Sequence, residues 1–116
     1  MQSRNSRGLE ALLAHDVVFY SPVVYTPQVG KAVTQQYLSA AFHVFFNLSF
    51  RYVRAVVGFS DAVLEFAVDI DGICVNGVDM LTWNAEGKVT EFKVMLRPLK
   101  AVNLIHQKTA AMLQQG

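Results

Sequence analysis

One acidic residue, Asp79, lies at a position in the sequence that could support chemistry. It falls in a run of alternating residue types and would share one face of a strand with apolar residues and a glycine: Val75, Gly77, Leu81 and Trp83. An apolar environment raises the pKa of a carboxyl, which can then exchange protons with a ligand near neutral pH. We therefore predict that Asp79 contacts a ligand or acts as an acid or base. The alternative is a core carboxyl hydrogen-bonded to a tyrosine, a serine or the backbone.

Other common site chemistries lack the residues that they need. Cys74 is the only cysteine, and the three histidines (His15, His43 and His106) do not have the spacing of metal ligands. The formal net charge is +1, and the basic residues do not form a run that would attract phosphates or an anionic membrane surface. We expect no metal, no cofactor, no nucleic-acid partner and no membrane partner.

The composition is typical of a single folded domain, predicted over residues 1–116. Apolar residues make up 53% of the chain and charged residues only 16%, against about 25% charged in an average domain. No run reaches the roughly 18 apolar residues of a membrane span. The apolar stretch near the start is short and carries Glu10, unlike a signal peptide. A cytoplasmic location is the expectation, with residues 1–8 frayed.

The hydrophobic periodicity changes from helical to alternating near Phe50. The predicted elements are one or two helical turns over 9–14, a strand from 16 that Pro22 ends, a loop over 21–30, a helix over 33–48, strands over 50–57, 61–70, 73–83 and 88–96, and a helix over 98–114. Asp71-Gly72 predicts a type I′ hairpin turn between the second and third strands of this meander. Helices followed by an antiparallel meander define an α+β fold, with helices on one face of a curved sheet.

Several short motifs occur together in an order typical of a known family. They are D-V-V-F-x-S-P at 16–22, a helix after Gly30, the four-stranded meander, G-V-D-x-x-x-W at 77–83 and E-F-K-V-M-x-R-P at 91–98. Over residues 9–100 the chain resembles the nuclear transport factor 2-like superfamily, and within it the small bacterial SnoaL-like (polyketide cyclase-like) domains. The resemblance implies a cone-shaped, cystatin-like fold with an apolar pocket between the concave sheet face and the helices. It also implies a frequent homodimer through the outer sheet face.

The resemblance further suggests that the family's N-terminal helix is shortened in this chain. We expect the C-terminal helix to cover the resulting gap over the mouth of the cone, on its own subunit or on its partner.

Two enzyme types of the superfamily use catalytic residues that this sequence lacks. Ketosteroid isomerase-like members have a carboxylate base where this chain has Ser21, although their second acid matches Asp79. Limonene-epoxide hydrolase-like members need an arginine at the position of Gly77 and an aspartate at that of Val94. Polyketide cyclase-like members use a lone inward acid in a shaped apolar pocket, and Asp79 fits that role.

Strand parity and the resemblance together predict the side chains that surround a ligand beside Asp79. They are Phe19, Ser21, Tyr37, Tyr52, Phe66, Leu81, Trp83, Phe92 and Val94. For each there is a structural alternative: a tyrosine that anchors packing, a serine that caps a loop, or an aromatic core residue.

Three functional interpretations follow from these observations. The first is a protein that binds a small hydrophobic or aromatic molecule, as a homodimer. The second is an acid–base enzyme of cyclase or isomerase type that uses Asp79. The third is a dimerisation module whose cone is filled by side chains. An open cavity that reaches Asp79 favours the first two. Alternation also predicts an apolar outer sheet face for a partner subunit, with Val63, Ala67, Val78 and Met80.

Overall fold

A six-stranded curved sheet and two helices make up the part of the chain that the structure, a computed structural model, describes: residues 11–45 and 47–115, with side chains to residue 111. The elements are β1 (Leu13–Tyr20), β2 (Gln28–Val29), α1 (Lys31–Phe45), β3 (Arg51–Val57), β4 (Asp61–Ile70), β5 (Ile73–Trp83), β6 (Val89–Arg97) and α2 (Leu99–Gln115). The strand order is β2-β1-β6-β5-β4-β3. The predicted α+β fold class is confirmed.

The sheet is mixed because β1 runs parallel to β6, while all other neighbouring strands are antiparallel. The predicted meander accounts for β3 to β6. Asp71 and Gly72 have φ angles of 51° and 78°, and they connect strands that pair as far as Ile70 and Ile73. Two positive φ values in a two-residue loop are the conformation that a type I′ turn requires.

Some element boundaries differ from the predictions. The strand β1 already begins at Leu13, because Leu13 and Ala14 are buried in the sheet core, whereas residues 11 and 12 are helical. The segment predicted as a loop contains the two-residue strand β2. The predicted frayed segment 1–8 and the shortened N-terminal helix lie outside the described residues.

The helix α1 ends at Phe45, earlier than its apolar stripe predicted, and Leu48 is fully exposed. Asn47 accounts for the difference, since its side chain bonds to backbone outside the helix. Its Oδ1 accepts a hydrogen bond from the Ser49 backbone N–H at 2.7 Å, and its Nδ2 donates to the Asp69 carbonyl at 2.9 Å. An asparagine that offers such local bonds competes with helix continuation.

Both helices cover the concave face of the sheet, and each contributes to a different buried cluster. Leu38 of α1 packs with residues of β1: Leu13, Ala14, Val17 and Phe19. Ala101 and Ile105 of α2 pack with residues of β4 and β5: Phe66, Val68, Ile70 and Val75. Between these two clusters the inner face of the sheet lines a cavity.

The apolar residues of the outer sheet face differ in their exposure. Val63 is 39% exposed, but Ala67 is buried. The short side chain of Ala67 lies opposite Asn76, whose amide donates to Glu65 and to the Phe66 carbonyl. None of the helices in the described residues is long and apolar enough to cross a membrane.

Candidate functional site

A cavity of about 390 Å³ lies between the concave sheet face and the two helices. Its volume is within the range of roughly 300–1,000 Å³ that is typical of small-molecule sites. Eight of its lining residues are aromatic: Phe19, Tyr37, Phe42, Phe45, Phe50, Tyr52, Phe66 and Phe92. Aromatic rings therefore contribute much of the described lining of this cavity.

Asp79 lies in the middle of the wall formed by the sheet. It pairs directly with Leu64 on β4 and with Val94 on β6, and both of these side chains also line the cavity. Its diagonal neighbours on the same face include Phe66 and Phe92, which a diagonal spacing of about 7–8 Å brings within reach. The carboxyl is thus surrounded on the sheet by apolar groups.

Burial raises the pKa of the Asp79 carboxyl to about 7. The cause is the loss of hydration, which disfavours the charged form. Over the described residues, no hydrogen bond or ion pair reaches this carboxyl. The alternative of a core acid held by a tyrosine, a serine or the backbone is therefore not supported. Near neutral pH the group can either accept or donate a hydrogen bond.

Tyr52 on β3 also faces the cavity, near its edge. Its pKa is raised, first by partial burial and second by the negative charge of Asp79. The ring packs edge-on against Phe50, with centroids 5.2 Å apart.

The aromatic side chains form two groups on opposite sides of Asp79. In the first, the Phe19 ring stacks on Tyr37 at 5.6 Å and approaches Phe92 at 6.2 Å between centroids. In the second, Phe66 packs against Phe45 at 5.4 Å and Phe50 at 5.3 Å. Strand register separates the groups, because Phe92 and Phe66 lie diagonally on either side of the acid.

The helix α2 covers the cavity on its own chain, with Ile105, His106, Thr109 and Ala110 in the lining. His106 is the titratable residue that α2 adds to this lining. It is exposed and yet lies at the cavity edge. Only the docking of α2 could reveal this, since nothing in the local sequence marks His106 as part of a site.

The structure brings together Asp79 and eight of the nine residues that were predicted around it: Phe19, Ser21, Tyr37, Tyr52, Phe66, Leu81, Phe92 and Val94. The Ser21 hydroxyl also caps the loop, since its Oγ accepts hydrogen bonds from the backbone N–H groups of Val23 and Val24 at 3.1 and 3.4 Å. Ser21 therefore both lines the cavity and caps the loop after β1.

Trp83 is the exception and does not line the cavity. It lies at the end of β5, where its backbone N–H donates to the Ser60 carbonyl at 3.0 Å, and it lines a separate depression with Phe59. The pairing of β5 with β6 also shifts register between Thr82 and Trp83. Parity alone had placed Trp83 beside the ligand, but its distance along the strand takes it beyond the cavity.

Sequence reasoning did not include Phe42, Phe45 and Phe50 among the site residues, although all three line the cavity. Phe42 and Phe45 share one helix face with Leu38, because the three are spaced as neighbours on a helix. This spacing could have indicated Phe42 and Phe45 as site residues. Within the described residues, no cluster of three His, Cys, Asp or Glu side chains could hold a metal ion.

An open, curved sheet with two helices packed on its concave face is the architecture of the nuclear transport factor 2-like class of α+β proteins. The chain belongs to the SnoaL-like domain family, whose model matches residues 1–92. The resemblance inferred from the sequence is thereby confirmed. No curated protein matches the chain.

Solved structures agree with this assignment. A steroid delta-isomerase from Pseudomonas aeruginosa is 29% identical, with a TM-score of 0.90 over 97% of this chain and 82% of that one. An uncharacterized bacterial protein with a cystatin-like fold from Silicibacter pomeroyi is 31% identical, with a TM-score of 0.85 over 93% of this chain and 75% of that one. An NTF2-like protein of unknown function from Mesorhizobium loti is 19% identical, with a TM-score of 0.70 over 84% and 81%, and it shows the fold alone.

Proposed function

We propose that the protein binds a small hydrophobic or aromatic organic molecule in the cone cavity and holds a polar group of that molecule against Asp79. The observation that carries the proposal is a carboxyl without a hydrogen-bond partner among the described residues, in the wall of an apolar cavity. A polar group that loses its water without gaining a partner costs about 1–3 kcal/mol, so an apolar ligand that covers this partly buried carboxyl must also offer it a hydrogen bond. The cavity volume argues against a dimerisation module with a filled core.

Native mass spectrometry of the protein, purified without added ligand, tests this proposal. We expect the wild type to retain a co-purified small molecule, and we expect Asp79→Asn to retain less of it. Asp69→Asn is the matched control, because Asp69 is an exposed carboxylate on the other face of the sheet. Equal retention by both variants would show that the ligand is not held at Asp79.

A second candidate function is proton transfer on an enolisable ligand. Two observations favour it: the Asp79 pKa of about 7, which suits a general base near neutral pH, and the 29% identity with a steroid delta-isomerase. The carboxylate would take a proton from the carbon beside a ketone, leaving an enolate. It would then return that proton to the far end of the conjugated system. Ser21 stands at the usual base position, so Asp79 would act alone.

This enzyme function can be assayed with a ketone whose double bond is one carbon out of conjugation, by the ultraviolet absorbance of the conjugated product. The rate should rise with pH through about 7, because only the carboxylate accepts a proton. Asp79→Asn should abolish it. A wild-type rate no greater than that of Asp79→Asn would refute the enzyme function and would not affect the proposal of ligand binding.

We further propose a homodimer through the outer sheet face, supported by the paired and exposed Val56 and Val63 and by the exposed Met95.

A cytoplasmic location is proposed as well, supported by the single, exposed cysteine Cys74, which a reducing compartment keeps as a thiol. Cell fractionation tests the location.

A further inference from the structure

We infer that the cavity selects an organic cation, a hydrophobic ammonium ion whose charge lies beside Asp79 between the two aromatic groups. The inference rests on the proposed ligand-binding function and names the chemical class of the ligand. It is carried by the distribution of charge and of aromatic rings around the cavity.

The described lining of the cavity contains a carboxyl but no lysine or arginine. Asp79 is the only acidic or basic side chain there apart from His106 on α2, which lies exposed at the edge. The other titratable groups that face the cavity are the phenols of Tyr37 on α1 and Tyr52 on β3. The flanking strands β4 and β6 present only Leu64 and Val94 beside the carboxyl.

The cations of the neighbouring strands lie on the opposite face of the sheet and cannot neutralise Asp79. On β6, Lys93 lies over the Tyr20 ring at 5.0 Å, and Arg97 donates to the Asn76 side chain at 2.9 Å. On β3, Arg54 lies 3.6 Å from Glu65. An anionic ligand would therefore meet an uncompensated negative charge, whereas a cationic ligand would supply the missing partner.

The aromatic rings favour the same ligand class. The faces of aromatic rings carry negative electrostatic potential and attract organic cations, most strongly where water is excluded. Phe66 and Phe92 are diagonal neighbours of Asp79 on opposite sides, and each belongs to a larger group of rings. A neutral apolar molecule would gain from the same rings by burial, but it would leave the carboxylate unpaired.

The pH dependence of binding separates the two ligand classes. The Asp79 pKa of about 7 means that the carboxylate fraction falls about tenfold between pH 8 and pH 6. A quaternary ammonium ion keeps its charge throughout this range, so its affinity should fall about tenfold as the pH decreases. A ligand that accepts a hydrogen bond from the protonated acid would show the opposite trend.

The experiment compares trimethylphenylammonium with its neutral carbon isostere, tert-butylbenzene, by ligand-observed NMR titration at about pH 6 and about pH 8. Four proteins are used: the wild type, Asp79→Asn, the control Asp69→Asn and His106→Gln. We expect the wild type, Asp69→Asn and His106→Gln to bind the cation about tenfold more tightly at the higher pH. Asp79→Asn should lose both the pH dependence and the preference for the cation, while its retained binding of tert-butylbenzene would show that its cavity is folded.

The outcomes distinguish this inference from the function on which it rests. Binding of tert-butylbenzene without a preference for the cation would overturn the inference and leave the proposed function standing. A pH dependence that persists in Asp79→Asn and disappears in His106→Gln would overturn it as well. Binding of neither compound would overturn both.

Discussion

At the scale of the residue, burial distinguishes one carboxyl from an exposed carboxyl on the neighbouring strand. Asp79 and Glu91 lie on neighbouring strands and carry the same chemical group. Glu91 is exposed, whereas Asp79 faces an apolar cavity and its pKa is raised to about 7. A functional group that is buried without a protein partner destabilises the fold in which it lies. Such a cost is typical of sites where function and stability conflict.

The pH dependence of stability should reveal this cost. The pKa of Asp79 is raised from 3.8 to about 7 in the folded chain, so over this range the folded state holds a proton that the unfolded state has released. Its contribution to stability is fully present below the unfolded value. It is lost, at roughly 1.4 kcal/mol per pH unit, as the pH rises through the folded value.

Asp79→Asn removes this titration. The variant should therefore gain stability relative to the wild type as the pH rises from about 4 to about 7. Urea unfolding of both proteins across this range measures the difference, with Asp69→Asn as the control. A constant difference between the Asp79→Asn variant and the wild type would contradict the raised pKa.

At the scale of the element, close packing between strands shapes the cavity wall. Gly77 on β5 lies beneath the Phe66 ring, and a Cβ at this position would lie 2.8 Å from Phe66 Cε2 and 2.7 Å from Leu96 Cδ2. The strand pairs Gly77 with Phe66 in regular register, so the glycine here marks a close approach and not a bulge. The absence of a side chain lets the ring lie against the sheet.

Gly77→Ala should push the Phe66 ring toward the cavity and lower the free energy of unfolding by about 1–3 kcal/mol, the usual cost of overpacking a core. Chemical denaturation measures this loss. Leu96→Ala removes one of the two contacts, so Gly77→Ala should cost less in that background. If the cost were the same in both backgrounds, the contact with Leu96 would not be responsible.

At the scale of the whole molecule, the sheet has two faces that bury apolar surface in different ways. The concave face is covered by α1 and α2, whereas the outer face leaves Val56 and Val63 exposed as a cross-strand pair. Val63 also pairs with Met80 on β5, and the adjacent outer pair on β3 and β4 is charged, Arg54 with Glu65; an apolar patch bordered by charges is the pattern of an interface core with a polar rim.

Val63→Asp should therefore convert the proposed homodimer into a monomer, since an interface buries a lone carboxylate only at high cost. Light scattering coupled to size-exclusion chromatography would then give half the wild-type mass. Tyr25→Asp changes a fully exposed loop residue and should leave the mass unchanged. A wild-type protein that already has the mass of one chain would refute the dimer.

The fold class, the Asp71-Gly72 turn and the inward direction of Asp79 could all be predicted from the residues alone. They depend on local rules: the period of side chains along a strand and the turn conformation that a glycine permits. The parallel pairing of β1 with β6, the position of Trp83 beyond the cavity and that of His106 at its edge became visible only in the folded chain. Each of these depends on contacts between elements far apart in the chain, and local periodicity carries no information about where such elements meet.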